Sequence, residues 1–291
     1  MEFSSGLFLN AIIAGLLLGG FYAAVSVGIS ISFGMLDVVN IAHPGFIILG
    51  AYIAYIVNSL FGFDPIVVAL ALSPLFFLLG MALYRIYYVC FEMRGKDSLR
   101  GLAFFFGILF ITEVTLILTF GVDYRTVQTI YSDTTWRLGE LDFPLRLVVP
   151  FAVSMAMLGG LYLLFTRTFF GRAVLAVAQD QLALRLMGVD PIRIKTLAFA
   201  LSIATAGVAG AFLIVIQPVE PSIGREYIGL AFAVCVLGGL GSLTGTLVGA
   251  FVLGLAESFT STFFGPSWAP AVSFGLLLLA LAFRPAGLFG R

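Results

Sequence analysis

Asp64-Pro65-Ile-Val-Val-Ala-Leu-Ala-Leu-Ser-Pro74-Leu-Phe-Phe-Leu-Leu-Gly80-Met-Ala-Leu-Tyr84 carries no charge after Asp64 and is closed by Arg85. A bilayer core about 30 Å thick takes about 20 apolar residues in one helix, so this stretch is long enough to cross. Further runs of the same kind lie near 7–27, 43–58, 101–120, 144–166, 194–217, 227–238, 243–262 and 268–284. Of the 291 residues, 61% are hydrophobic and 10% charged, against roughly a quarter charged in a soluble domain. The expected fold is an all-α polytopic membrane protein, residues 1–291 forming one transmembrane domain of about 8–10 spanning or half-membrane helices. Met1 to Gly6 holds no Lys or Arg and leads into a run too long for a cleaved signal, so that run reads as the first span. The stretch 28–43 and the short run before Gly238 read as half-helices or re-entrant segments.

Lys and Arg concentrate in cytoplasmic loops. Eleven of the 15 basic residues fall in loop 85–100 (Arg85, Arg94, Lys96, Arg100), loop 167–195 (Arg167, Arg172, Arg185, Arg193, Lys195) and the tail (Arg284, Arg291). Loop 121–143 instead carries Asp123, Asp133, Glu140 and Asp142 against Arg125 and Arg137, and loop 218–226 carries Glu220 and Glu226 against Arg225. With nine crossings the N-terminus lies outside and the C-terminus in the cytoplasm. A formal charge of zero with no basic cluster excludes nucleic-acid binding. Cys90 and Cys235 lie in or beside apolar runs and read as small buried hydrophobes.

Three interruptions carry the functional reading. In Gly34-Met-Leu-Asp37-Val-Val-Asn40-Ile-Ala-His43-Pro44-Gly45, polar residues and a proline break an apolar stretch, so a helix restarts at Pro44 and Asn40 or His43 caps its free amides. The second is Leu237-Gly238-Gly239-Leu240-Gly241-Ser242. Gly- or Pro-interrupted hydrophobic segments in both halves of a chain point to a transport pathway, which makes Asn40, His43, Pro44, Gly45, Gly238, Gly239, Gly241 and Ser242 its candidate lining. The glycine run lacks the Lys-Ser/Thr ending of a phosphate loop.

The third, Gly171-Arg172-Ala-Val-Leu-Ala-Val-Ala178-Gln179-Asp180-Gln-Leu-Ala-Leu-Arg185-Leu-Met187-Gly188-Val-Asp190-Pro191, lies in the basic loop of about 167–195. Its alanine content favours one helix over 172–187, with Leu175, Ala178, Leu182 and Leu186 on one face. Gly188 ends it, and Asp190-Pro191 starts the next. Such a helix at the cytoplasmic surface suits a groove on a partner protein, the alternative being an interfacial helix on lipid. Within the spans, Glu113 and Glu257 are costly and so candidate functional groups. Glu113 has a polar partner to find across the bundle, and Glu257 lies towards the outer end, within reach of water. With one histidine and no paired acids, no catalytic residue and no metal site is expected.

Taken in order, Gly19-Gly-Phe-Tyr22-Ala-Ala, Phe33-Gly34, Asn40-Ile-Ala-His43, Gly50-Ala51-Tyr52, Gly171-Arg-Ala, Ala178-Gln-Asp180, Met187-Gly188, Gly238-Gly-Leu-Gly241-Ser and Arg284-Pro-Ala-Gly287-Leu resemble the LivH-type permeases of branched-chain amino-acid ABC importers over nearly the whole chain. His43-Pro44-Gly45 departs from the family's His-Gly-acid and lacks its carboxylate. The resemblance implies a permease in the bacterial inner membrane, paired with a paralogous second permease, two ABC ATPase subunits that use ATP-Mg, and a periplasmic solute-binding protein. It also implies that Gly171, Arg172, Ala178, Gln179, Asp180, Met187 and Gly188 belong to an ATPase-coupling helix. The chain itself would hold no cofactor and catalyse no reaction. The alternative reading is a stand-alone secondary transporter or channel for a small organic solute such as urea or an amide.

Overall fold

In a computed structural model describing residues 5–95, 98–284 and 286–290, the chain is an all-α polytopic membrane protein. Met1 to Ser4, Lys96, Asp97, Pro285 and Arg291 lie outside the described residues. The helices are α1 (Ser5–Ile29), α2 (His43–Phe61), α3 (Pro65–Cys90), α4 (Ser98–Phe120), α5 (Leu145–Arg167), α6 (Phe169–Gln179), α7 (Gln181–Leu186), α8 (Pro191–Ile216), α9 (Gly224–Gly238), α10 (Leu243–Phe263) and α11 (Ala269–Phe283). Eight helical stretches among the described residues are long and apolar enough to cross a membrane, within the expected range. The 15 residues of α9 rise only about 22 Å at 1.5 Å per residue, so it is a half-helix, as its short apolar run implied.

Two features depart from the sequence reading. The first span does not end near residue 27 but continues as a π-helical turn, Ser30–Met35, before the chain becomes irregular over 36–42. The loop 121–143 folds a small hairpin, β1 (Thr135–Leu138) with β2 (Leu141–Pro144). Its turn uses Gly139 at φ 65°, and Arg137 meets Asp142 across the strands at 3.2 Å.

Without a hydrophobic force between helices in lipid, close packing needs small residues at the crossings. Gly254 of α10 lies against the backbone of Gly15 and Gly19 of α1, and Gly210 of α8 against Ile47 and Ala51 of α2. A methyl group at either glycine would collide with backbone atoms that cannot yield. α8 is apolar all round and buried along nearly its whole length, as a helix enclosed by others must be; α2, α3 and α1 surround it.

The glycine contacts also fix directions. His43 shares a site with Ser202 and Thr205 while Ala51 meets Gly210, so α2 and α8 run the same way. Residue 15 pairs with 254–255 and residue 19 with 250–251, so α1 and α10 run opposite ways. One end of the bundle therefore gathers Cys90, Arg167, Pro191 and Phe283, and is called the basic end below. The other gathers Phe61, Phe120, Ile216, Phe263 and the hairpin, and is called the acidic end.

Candidate translocation and coupling sites

His43 opens α2 well inside the bundle. Its Nε2 lies 3.1 Å from the Val25 carbonyl, and its ring shares the space beside Gly28 with Ser202 and Thr205, which sit about halfway along α8. The chain over 36–42 thus turns back from the basic end and restarts as a helix near mid-depth. Asp37 stands in this segment at φ 56°, a strained value for a non-glycine residue. The expected capping is corrected here. The N-cap of α2 is Ala42, without a side-chain bond. The Asn40 side chain is buried with no hydrogen-bond partner for either polar atom, and His43 spends its Nε2 on α1. Pro44 falls in the first turn as expected, where its missing amide is not needed.

α9 begins at the same level. A Cβ placed on Gly224 would lie 3.0 Å from Ile48 and 3.5 Å from the Pro44 carbonyl oxygen. From there α9 runs to the basic end, where the amides of Leu288 and Phe289 bond to the Leu237 and Gly238 carbonyls. α2 runs to the acidic end. Two helices that start inside the bundle therefore meet by their N-termini, each carrying partial positive charge.

Glu113 of α4 lies at this meeting point. Arg225 in the first turn of α9 donates to it through Nε at 3.0 Å and Nη2 at 2.6 Å, a two-pronged match of guanidinium to carboxylate. Gly45, Ile48, Leu109, Thr112 and Pro221 close around the pair. Glu113 is buried, but the Arg225 side chain is 62% exposed. A guanidinium at this depth is costly against lipid, so this face of the bundle suits water or another protein. The arrangement offers an anion the two helix ends and the open side of Arg225, while both oxygens of Glu113 are taken by that guanidinium.

The glycine run does not join this site. Gly239 and Gly241 adopt φ 99° and 80° and turn the chain from α9 into α10 at the basic end. There Gly241 is pressed against the Gly34 backbone and Ser242 caps α10 through the Gly245 amide at 3.0 Å.

The coupling segment is also at the basic end. The single helix expected over 172–187 is two helices, α6 and α7, because Asp180 leaves helical geometry (φ −153°, ψ 104°) and its Oδ1 accepts the Leu182 and Ala183 amides. Asp competes for backbone donors in this way and favours caps over helix interiors. Thr168 caps α6 through the Gly171 amide at 3.1 Å, and Gly171 itself lies against the Phe165 backbone. Val174, Val177 and Leu184 are buried. The opposite face is open: Arg172, Ala178 and Gln179 are exposed, with Leu175, Leu182, Leu186 (83%) and Met187 (81%). Gly188 ends α7 at φ 80°, and Asp190 caps α8 through Ile192 at 3.0 Å, both as expected.

Sequence reasoning missed the partners of Glu113, Glu92 and Glu257. Arg225 and Lys195 counted only as loop charges, yet Lys195 is buried and donates to Glu92 at 2.6 Å, with Tyr84 donating to the same carboxylate at 2.8 Å. That ion pair ties the short turn after α3 to the foot of α8, close to α7. Glu257 does not reach out to water: it is 6% exposed and accepts the hydroxyls of Tyr22 and Ser273.

A family model described as "Branched-chain amino acid transport system / permease component" matches residues 11–281. The chain is 29% identical to the high-affinity branched-chain amino acid transport system permease protein BraD of Pseudomonas aeruginosa, over 98% of this chain and 96% of that protein. It is 27% identical to LivH of Escherichia coli K12, over 98% and 96%. Similarity extends to LivM of the same organism, 28% identical over 92% of this chain and 67% of that one.

Proposed function

The chain belongs to the family of permease components of branched-chain amino acid transport systems, and from that membership we infer that it is the membrane-spanning subunit of an ATP-binding-cassette importer. Its solute is a branched-chain amino acid or a close relative in size and charge. It pairs with a paralogous second permease, the role that similarity to both LivH and LivM supports. A periplasmic binding protein delivers solute, and two ATPase subunits supply the work. The chain transmits that work and does not catalyse hydrolysis.

The observation that carries the reading is the open apolar face of α6 and α7 at the basic end. A short amphipathic helix pair presenting leucines and a methionine fits a groove on a partner. The basic end, with the C-terminus, is then cytoplasmic. Coupling passes from this face through Asp190 into α8, which contacts α2 and α3 along its length. The pathway runs past the N-termini of α2 and α9, where the helix start at Pro44 and Gly45 and the open side of Arg225, anchored by Glu113, suit the carboxylate of a zwitterion.

Leucine uptake in cells expressing the neighbouring transport subunits tests this. Uptake that requires intact ATPase partners is the expected result; uptake by this chain without them identifies a secondary transporter instead.

A further inference from the structure

Among the described residues two carboxylates are buried, Glu113 and Glu257, and Glu92 is half-buried; Glu113 meets Arg225 and Glu92 meets Lys195. Glu257 meets no base. It is 6% exposed, and its partners are the hydroxyls of Tyr22 on α1 and Ser273 on α11. Neutral donors soften the burial of a carboxylate but leave its charge unbalanced, and such a group takes up either a proton or a cation.

Glu257 also borders space for one. A cavity of about 650 Å³ opens between α1, α9, α10 and α11 at the acidic end, within the size range of small-molecule sites. Glu226, in the first turn of α9, supplies a second carboxylate to its wall, and among the described residues that line it there is no Lys, Arg or His. Ser261 and Thr262 add hydroxyls, while Leu18, Leu230 and Phe274 form an apolar side. Tyr22 and Tyr227 also line it, and aromatic rings attract cations.

We propose that this cavity binds a monocation, with Glu257 as its anchor and Glu226 as the second carboxylate, and that the natural ligand is the ammonium group of a small aliphatic solute. The apolar wall takes the solute's hydrocarbon part. The cation requirement stands on the cavity alone; the solute as ligand rests on the import reading. The site shares no lining residue with the one around Glu113 and Arg225, and lies nearer the face where a delivered solute would enter.

The test uses the assembled transporter in lipid nanodiscs without its binding protein, titrated with leucinamide, with 4-methylpentanamide (the same molecule without the amine) and with sodium chloride. Leucinamide is expected to bind at least about tenfold more tightly than the neutral amide, the scale of one charge-assisted contact. Glu257→Gln is expected to erase that preference. Ser261→Trp fills the cavity with Glu257 in place and is expected to remove leucinamide binding, which keeps the test decisive if Glu257→Gln does not assemble. Binding of sodium without leucinamide, lost in either variant, assigns the site to a free monovalent ion and upholds the cation site. No preference over the neutral amide and no sodium binding, or a preference unchanged in the variants, overturns it. ATP-dependent leucine uptake is read in parallel: its failure sinks the import reading and leaves the titration standing, whereas normal uptake with no cation binding sinks the site alone.

Discussion

Glu92 and Glu257 are both carboxylates drawn out of water in an apolar chain, and their surroundings differ in one respect. Glu92 has Lys195 at 2.6 Å with Tyr84 as a second donor; Glu257 has hydroxyls alone. A buried ion pair adds little net stability, because desolvation offsets attraction, but removing one partner strands the other. The Lys195–Glu92 contact therefore acts as a fixed tie between the end of α3 and the foot of α8, beside α6 and α7. Glu257 instead faces a cavity and keeps capacity for a ligand. Glu113 stands between these cases, fully matched to Arg225, whose other side remains exposed.

Lys195→Met breaks this comparison at its strongest point. It leaves Glu92 without its counter-charge and is expected to lower the stability of the assembled complex by about 3 kcal/mol, read as a fall in the midpoint of thermal unfolding in detergent. A change within measurement error would mean that Glu92 is as well served by hydroxyls as Glu257. Tyr22→Phe sharpens the other side. It deletes one neutral donor to Glu257 and is expected to cost about 1 kcal/mol, so the same assay should show a clearly smaller shift. A loss equal to that of Lys195→Met would remove the distinction between the two environments.

Much of the architecture was legible because the bilayer imposes length. Runs of about 20 apolar residues could only be spans, and the short run before Gly238, though one of the nine crossings, also read as a half-helix. The break at Pro44 and the caps at Gly188 and Asp190 followed from local chemistry that needs no tertiary context. The split between α6 and α7 was missed because alanine propensity outweighed Asp180 in the reading, whereas the carboxylate's two amide bonds decide the geometry. The hairpin over 135–144 is signalled only by Gly139 and a short flanking alternation, which the charges of the loop obscure. The pairs Glu113–Arg225, Glu92–Lys195 and Tyr22–Glu257 join residues far apart in the chain. Each is set by which helices pack together, and no spacing along the sequence encodes that. The candidate site was thus half visible: Pro44, Gly45 and Glu113 were singled out, and Arg225, which completes them, was not.

In the proposed function the open face of α6 and α7 receives the ATPase, and its movement drives transport. Ala178 is exposed on that face, so Ala178→Asp places a charge in the docking surface without disturbing the buried Val174 and Val177. Leucine uptake should be measured in cells expressing all transport subunits, with membrane levels of the native and altered chains matched. The account predicts that ATP-dependent uptake is lost while the chain remains in the membrane; uptake at the native rate would contradict it.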